Sequence, residues 1–297
     1  MNWIIRAPKM LAKSLLELFG LDARARRLWQ LADPQRRRFR RIETFEASVK
    51  GVDLVFSTKD EYSNAWFYPR YAGGRIHEPA VSELFLSALA DTSCFADVGT
   101  NLGWYTCLAA RSMPSGRVFG FEMDELNCAL LRKNVELNGC DNVETIHTAI
   151  SDSCAKVTYC RDGRRPNPTL SLSTADDSGS SAERVSVDAT TLDRFFTDRS
   201  PPDVVKIDVE GAEMNVLRGM SGLLREKRPI VFLEIHPAAL PRFDTSAASV
   251  VSVLIGAGYR VSEIEDMRSD DSPSRLVGIT TESALERNAM LYAEPFE

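Results

Sequence analysis

The sequence predicts an α/β protein with a doubly wound, mostly parallel sheet and an N-terminal helical and β extension. From Ser93 onward, short apolar segments alternate with longer helical ones, which is typical of strands and helices in a parallel sheet. The segment 230–235 is almost entirely apolar, as expected for a central strand buried on both faces. Of the 297 residues, 44% are hydrophobic, and this is enough for a full core at this length.

Seven segments have the pattern of strands in this sheet, and four have the pattern of the helices between them. Acidic residues open the helix that begins at Asp124, and Asn138-Gly139 closes it. Segments 156–160 and 184–187 predict an antiparallel pair. The predicted strands are 94–98, 117–121, 143–150, 203–207, 230–235, 259–264 and 288–292, and the predicted helices are 104–112, 124–138, 212–225 and 246–257.

Three parts are predicted along the chain: an extension at 1–45, a hairpin, lid and helix at 46–92, and the main domain at 93–297. Within the main domain, the Ser-, Pro- and Asp-rich stretch 162–181 predicts a mobile loop.

The extension 1–45 is basic, with eleven Lys and Arg against four acidic residues. Leu11, Leu15 and Leu18 recur at helical spacing. It is either an amphipathic helix for peripheral contact with anionic lipid or a partner, or a helix packed on the main domain with its basic face in solvent.

Composition argues against several classes of function. The net charge of -6 does not favour a nucleic-acid partner. The six cysteines include no C-x-x-C pair, which favours reduced thiols in a cytoplasmic protein. No apolar run reaches the ~18 residues of a membrane span, and Arg6, Pro8 and Lys9 interrupt any signal-peptide core. No oligomeric state is predicted.

The segment Asp97-Val98-Gly99-Thr100-Asn101-Leu102-Gly103 follows the first strand of the main domain, where doubly wound sheets bind ligands. Gly99 permits a tight turn, and Gly103 lets a helix start close to a ligand. The spacing lacks the middle glycine of dinucleotide binders, and the Asp97 carboxylate would repel a diphosphate. We expect Asp97, Gly99, Asn101 and Gly103 to bind a cofactor that carries positive charge, although a structural turn would have the same pattern.

Two acids follow the next strands. Glu122 lies where a carboxylate accepts the hydroxyl protons of a cofactor ribose. A helix N-terminal acid is the alternative, but Asp124 serves that role better. Asp152 is placed to accept a hydrogen bond from an adenine amino group, and a plain loop aspartate is equally compatible with its position.

Ionisable residues are concentrated after the fourth and fifth strands. Lys206-Ile207-Asp208-Val209-Glu210-Gly211-Ala212-Glu213 holds charged groups that are costly to bury unless they are used. Glu234-Ile235-His236-Pro237 follows the neighbouring strand. The sequence therefore predicts one cleft surrounded by Asp208, Glu210, Glu234 and His236.

Together these motifs, with Thr191-Leu192-Asp193 between them, resemble the FkbM family of class I methyltransferases over about residues 75–265. The resemblance implies a Rossmann-like seven-stranded methyltransferase sheet and S-adenosylmethionine as cofactor, with Asp208 among the cofactor contacts. It also implies O-methylation of a hydroxyl on a sugar, glycan or natural product. Met123 departs from the family pattern, which usually has proline there; this affects the stiffness of the turn more than the ribose contact.

For the reaction, we hypothesise that His236 is the base, because its ordinary pKa suits neutral pH, and that Glu234 or Asp208 orients it. A purely structural hydrogen bond is the alternative for His236. A second hypothesis, less favoured, places Mg²⁺ between Asp208 and Glu234.

The acceptor is expected under the aromatic segment 62–71 and the mobile loop 162–181, against Tyr68 and Tyr71, and near Glu210. Two other classes of function stay open. An NAD-dependent oxidoreductase is opposed by the glycine spacing and Asp97. A non-catalytic, membrane-associated module would use the basic extension 1–45.

Overall fold

The computed structural model describes residues 41–71, 74–161, 172, 183–267 and 275–296. Most of the predicted basic extension and, apart from Leu172, the predicted mobile loop lie outside the described residues. Within the described part, no helix combines the length and the apolar character needed to cross a membrane.

Two compact units make up the chain. The first takes in Met1–Phe45 and Thr58–Gly73; its described residues include a π-helical turn at Ser63–Phe67 and a 3₁₀ turn at Tyr68–Tyr71. The second unit takes in Glu46–Ser57 and Gly74–Glu297 and contains the sheet and its helices.

Thirteen strands and seven α-helices are described. The strands are β1 (Thr44–Val49), β2 (Val52–Ser57), β3 (Cys94–Val98), β4 (Arg117–Glu122), β5 (Val143–His147), β6 (Ala149–Ile150), β7 (Lys156–Arg161), β8 (Glu183–Thr190), β9 (Val204–Ile207), β10 (Ile230–Ile235), β11 (Tyr259–Glu265), β12 (Arg275–Gly278) and β13 (Ala289–Pro295). The helices are α1 (Pro79–Ala88), α2 (Trp104–Ser112), α3 (Glu125–Leu137), α4 (Leu192–Phe195), α5 (Glu213–Gly219), α6 (Ser221–Glu226) and α7 (Ala247–Gly256).

The central sheet has the order β12-β11-β13-β10-β9-β3-β4-β5. Strands β10, β9, β3, β4 and β5 are mutually parallel, whereas β13 runs antiparallel to both β10 and β11. This confirms the predicted α/β, mostly parallel class.

Successive residues of a strand point to opposite faces of the sheet, so a strand that is apolar throughout has side chains to bury on both faces. Helices cover both faces. Ala96 and Val98 pack in one core cluster with Leu217 of α5 and Val250 of α7. On the opposite face, Phe95 of β3 lies 4.9 Å, between ring centroids, from Phe85 of α1. The Phe85 ring also contacts Phe232 of β10.

Two asparagines on α3 hold the hairpin strand β2. The Oδ1 atoms of Asn134 and Asn138 accept hydrogen bonds from the backbone N–H groups of Ser57 and Val55. Asn134 Nδ2 also donates to the carbonyl of Leu102 in the glycine loop, at 2.7 Å. One buried side chain therefore joins the hairpin, α3 and the loop.

Three differences from the predicted elements concern the strand after α3, the helix after β9 and the edge of the central sheet. The predicted strand 143–150 is divided at Thr148, and its second part, β6, joins β8 and β7 in a separate sheet. The predicted helix 212–225 is divided at Met220, next to Gly219, where a Cβ would lie 2.0 Å from the carbonyl oxygen of Ser151. The edge strand β12 was not predicted and makes the central sheet eight-stranded.

Candidate active site

A cleft lies where the strand order of the sheet reverses. From β3 the chain proceeds to β4 and β5 on one side, and later through β9 to β10 on the other. Loops leaving neighbouring strands diverge at such a point and leave room for a ligand. The cleft encloses about 610 Å³ of empty space, part of which is open to solvent.

Gly99 is one of the residues that line this cleft. Its φ of +83° is strained for any residue with a side chain, and a Cβ there would lie 1.9 Å from the backbone oxygen of Asp208. The loops after β3 and β9 therefore meet backbone to backbone. Gly103, the N-cap of α2, has a φ of +85°, which also favours glycine, and a Cβ there would lie 2.5 Å from Cδ1 of Leu131.

Glu122 lines the cleft at the end of β4 and is buried. Its Oε2 accepts the backbone N–H of Asn101 at 2.9 Å, and its Oε1 accepts that of Asp124 at the same distance. Burial raises the pKa of Glu122 to about 7, although these backbone hydrogen bonds act in the opposite direction. Each oxygen retains a lone pair that could accept a ligand hydroxyl.

Asn101 is a second polar residue on the cleft wall. Its φ is +51°, a left-handed conformation that asparagine tolerates better than most residues. Its buried Oδ1 has no hydrogen-bond partner within the described part of the chain. A ligand donor in the cleft would satisfy this oxygen.

Asp97 and Asp152 lie outside the cleft lining, as do Gly103, Glu234 and His236. Asp97 is buried in the layer that packs against α2, and its Oδ2 accepts a 2.6 Å hydrogen bond from Thr106. Burial raises its pKa, although Lys206 acts against this. Asp152 is exposed beside Ser151. Their cofactor contacts stay predictions.

His236 lies just beyond β10 and is buried. Its Nδ1 contacts Oε1 of Glu213 at 2.7 Å. Its Nε2 faces three other carboxylates: Glu210 at 3.4 Å, Asp208 at 3.8 Å and Glu234 at 3.9 Å. Burial lowers the pKa of His236, but the Glu213 hydrogen bond and the other acids outweigh it and raise the pKa to about 9. In the ligand-free protein the ring is therefore an imidazolium at neutral pH.

The acids around His236 differ in protonation. Burial would raise the pKa of Asp208, but Lys206, 3.5 Å away, and the His236 ring hold it below its usual value. Burial and the neighbouring Asp208 raise the pKa of Glu234 to about 8. Asp208 thus carries negative charge at neutral pH, whereas Glu234 is mostly protonated.

The same residues could also hold a metal ion. Asp208, Glu234 and His236 each present one ligand atom, and these atoms lie within 4.8 Å of one another. Carboxylate oxygens with an imidazole nitrogen suit several divalent cations. A cation there would occupy Nε2, so metal binding and proton acceptance by His236 exclude each other.

The three residues predicted to contact the methyl acceptor, Glu210, Tyr68 and Tyr71, lie in different surroundings. Glu210 lines the cleft with a φ of +53°, a strained conformation for a residue with a side chain. Tyr68, in the first unit, is fully buried and stacks on Phe45 at 4.8 Å between ring centroids. Tyr71 is partly buried and meets Phe67 edge-on.

The sequence did not predict the supporting contacts that Glu213 and Asp124 make outside the cleft lining. The sequence pattern does not assign Glu213 to the site, although Glu213 lies in the acid-rich segment 206–213. Asp124 was predicted only as a helix N-terminal acid. It does cap α3, and its Oδ2 also contacts Tyr159 Oη at 3.0 Å and Arg161 Nε at 3.1 Å. This contact joins β7 to the helix that follows Glu122.

A mostly parallel sheet with an acid-lined cleft at its switch point is the arrangement in which open α/β sheets bind ligands. The methyltransferase FkbM domain matches residues 97–261, which includes the loop at Gly99, the acid-rich segment and His236. The chain belongs to the FkbM methyltransferase family.

Relatives share the methyltransferase name. The hexuronic acid methyltransferase AglP of Haloferax volcanii is 27% identical over 173 residues, covering 58% of this chain and 68% of that protein. Methyltransferase 1 of Beauveria bassiana is 26% identical over 147 residues, 44% of this chain and 59% of that protein. This chain therefore spans less than two thirds of the second relative.

Among solved structures, a methyltransferase FkbM from Methylobacillus flagellatus gives a TM-score of 0.41 at 15% identity, over 68% of this chain and 44% of that one. The likeness is too distant to assign any residue of the cleft.

Proposed function

We propose that this protein uses S-adenosylmethionine to methylate a hydroxyl group of a sugar, glycan or small natural product. The observation that carries the proposal is the position of Glu122, buried at the cleft with both oxygens held by backbone N–H groups. An anchored carboxylate in this position accepts hydrogen bonds from the hydroxyl groups of a ribose. The family supplies the reaction class, and the hexuronic acid methyltransferase named above supports a sugar acceptor.

Several residues of this chain would hold the cofactor. Gly99 allows close backbone approach, and the Oδ1 of Asn101 offers an acceptor. Asp208 also lines the cleft and carries negative charge, which favours a cationic ligand over a dinucleotide. When bound, S-adenosylmethionine supplies an electrophilic methyl group on a sulfonium, and its transfer leaves a neutral thioether.

His236 is proposed to accept the proton of the acceptor hydroxyl at Nε2 as the new oxygen–carbon bond forms. Its raised pKa blocks this role in the ligand-free protein. A cationic ligand in the cleft disfavours the imidazolium and lowers that pKa, so the ring becomes a base when the cofactor is present. Glu210, 3.4 Å from Nε2, is placed to hold the acceptor.

A metal-assisted version is the second candidate, favoured by the ligand spacing of Asp208, Glu234 and His236. A divalent cation there would polarise the hydroxyl directly. Dialysis against EDTA separates the two versions: the proton-transfer version keeps its activity, and the metal version loses activity and regains it with Mg²⁺ or Mn²⁺.

Calorimetry tests the cofactor assignment with S-adenosylmethionine, S-adenosylhomocysteine and NAD as ligands. Glu122→Ala should weaken binding of both adenosyl ligands about 10- to 100-fold, as expected for lost hydrogen bonds to a charged group. Glu125→Gln changes an exposed acid at the start of α3, the helix that follows Glu122, and should leave affinity unchanged. Tight NAD binding with no S-adenosylmethionine binding would overturn the proposal.

The acceptor is sought by incubating cell extracts with the protein and labelled S-adenosylmethionine, with methyl β-glucuronide as a defined sugar probe. A labelled methyl ether supports the proposal. Label on nitrogen or carbon would contradict O-methylation. Cofactor binding without label transfer to any compound would favour a non-catalytic module.

A further inference from the structure

We infer that Glu213 is the positioning residue for His236. It holds the imidazole with Nδ1 directed into the protein and Nε2 directed toward Asp208 and Glu210 at the cleft. The catalytic consequence rests on the proposed function, whereas the geometry stands without it.

The contact is short and fully enclosed. Glu213 is 0% exposed and His236 is 4% exposed. A carboxylate oxygen accepts hydrogen bonds, so the 2.7 Å contact makes Nδ1 the donor and Glu213 Oε1 the acceptor. A buried hydrogen bond of this kind fixes the rotation of the ring and keeps a proton on Nδ1, so that Nε2 is the nitrogen that can lose or accept a proton.

The same oxygen holds the loop that carries the cleft acids. Glu213 Oε1 also accepts the backbone N–H of Gly211 at 3.0 Å. Gly211 has a φ of +113°, and a Cβ there would lie 2.8 Å from the Cβ of Ala239. One carboxylate thus fixes the ring and the turn from Asp208 to Gly211 relative to each other.

The acids predicted to orient His236 are less suited to that role. Asp208 and Glu234 both face Nε2, and they lie 3.8 and 3.9 Å from it. These distances exceed hydrogen-bond length. Glu213 is fully buried, and its carboxylate contacts His236 and the backbone of Gly211, so it acts through His236 and is not itself a catalytic residue.

Two variants test the inference, with a surface control. Glu213→Ala removes both hydrogen bonds. Glu213→Gln keeps one acceptor oxygen without the charge. Glu226→Gln changes an exposed acid on the neighbouring helix α6 and serves as the matched control.

The first measurement needs no activity. Nitrogen-15 NMR of labelled protein reports the protonation of each ring nitrogen, and the chain has only three histidines, so loss of one signal in His236→Gln assigns it. In the wild type and in Glu226→Gln, a strongly hydrogen-bonded Nδ1–H is expected. Glu213→Ala should lose it, and Glu213→Gln should retain it with a weaker hydrogen bond. An unchanged His236 signal in either folded Glu213 variant overturns the inference.

The second measurement follows turnover of methyl β-glucuronide or of the acceptor found by labelling. Glu213→Ala should lower kcat by at least about tenfold while the Kd for S-adenosylmethionine changes less than about twofold. Glu213→Gln should recover part of the loss. Unchanged kcat in Glu213→Ala contradicts the inference. If the ring signal responds as expected but no variant, wild type included, transfers methyl groups, the positioning role stands and the proposed function fails.

Discussion

Gly99 and Asp208 touch across the switch point of the sheet, because a Cβ atom on Gly99 would lie 1.9 Å from the backbone oxygen of Asp208. The backbone N–H of Asp208 in turn donates to the carbonyl of Val98 at 2.9 Å. The loop that carries the cleft glycine and the loop that carries the cleft acids are thus a single packed unit. A substitution that shifts the backbone of one loop should therefore displace the backbone of the other.

Gly99→Ala is therefore expected to destabilise the protein by about 3 kcal/mol or more, from the left-handed conformation and the displaced backbone together. Urea unfolding measures the loss, and calorimetry with S-adenosylmethionine measures the damage to the cleft. Gly256→Ala is the control, because a Cβ there meets nothing within 4 Å. It should be neutral or stabilise helix α7 by up to about 1 kcal/mol. Similar free energies of unfolding for the two variants would contradict the packing described.

Asn134→Ala should destabilise the fold through two unpaired backbone groups. The Ser57 N–H and the Leu102 carbonyl would each lose a buried partner, at a cost of about 1–3 kcal/mol each. Lys133→Ala removes only an exposed ion pair with Glu136 on the same helix, which contributes at most about 0.5 kcal/mol. Equal urea midpoints for the two variants would show that the hairpin does not depend on Asn134.

Stability of the ligand-free protein should fall as pH rises from about 5 to about 9. Glu122 and Glu234 have pKa values raised from 4.5 to about 7 and about 8, and His236 from 6.5 to about 9. For all three groups the folded chain binds more protons than the unfolded chain in this window, so deprotonation favours unfolding. Ionisation of the two acids lowers the stability of the folded protein from pH 4.5 upward. The stabilising contribution of the His236 imidazolium is lost between pH 6.5 and 9.

Urea unfolding at several pH values measures this slope. Glu234→Gln should flatten it between about pH 5 and pH 8, whereas the surface change Glu226→Gln should not alter it. A stability that increases across the window would mean that the acids near His236 ionise freely in the folded protein.

Binding of S-adenosylmethionine should release a proton from His236, whereas S-adenosylhomocysteine should release less. The two ligands differ in the sulfonium charge, and only a cation in the cleft disfavours the neighbouring imidazolium. Calorimetry in buffers of different ionisation enthalpy counts the protons released. His236→Gln should abolish the difference between the ligands. Equal proton release for both ligands in the wild type would argue against His236 as a base activated by the cofactor.

The local patterns of the sequence predicted much of the fold. The strands Cys94–Val98 and Ile230–Ile235 and the helix Trp104–Ser112 agree with their predicted bounds, because their apolar patterns and end signals lie within the segments themselves. The predicted strand and helix that proved to be divided, at Thr148 and Met220, are interrupted by contacts with distant parts of the chain. Gly219 abuts Ser151, and no local pattern in a helix reports such a neighbour.

By itself, the sequence determined the α/β class, the methyltransferase family and the strand ends from which the cleft is built, since these depend on periodicity and on residue types at fixed spacing. Only the tertiary structure decided which side chains meet. It brought Glu213 to Nδ1 of His236, left Asp208 and Glu234 at Nε2, and turned Asp97 away from the cleft lining. The physical reason is that side-chain direction and burial follow from packing between strands far apart in the chain, and a buried carboxylate's partner is chosen by distances of a few tenths of an ångström.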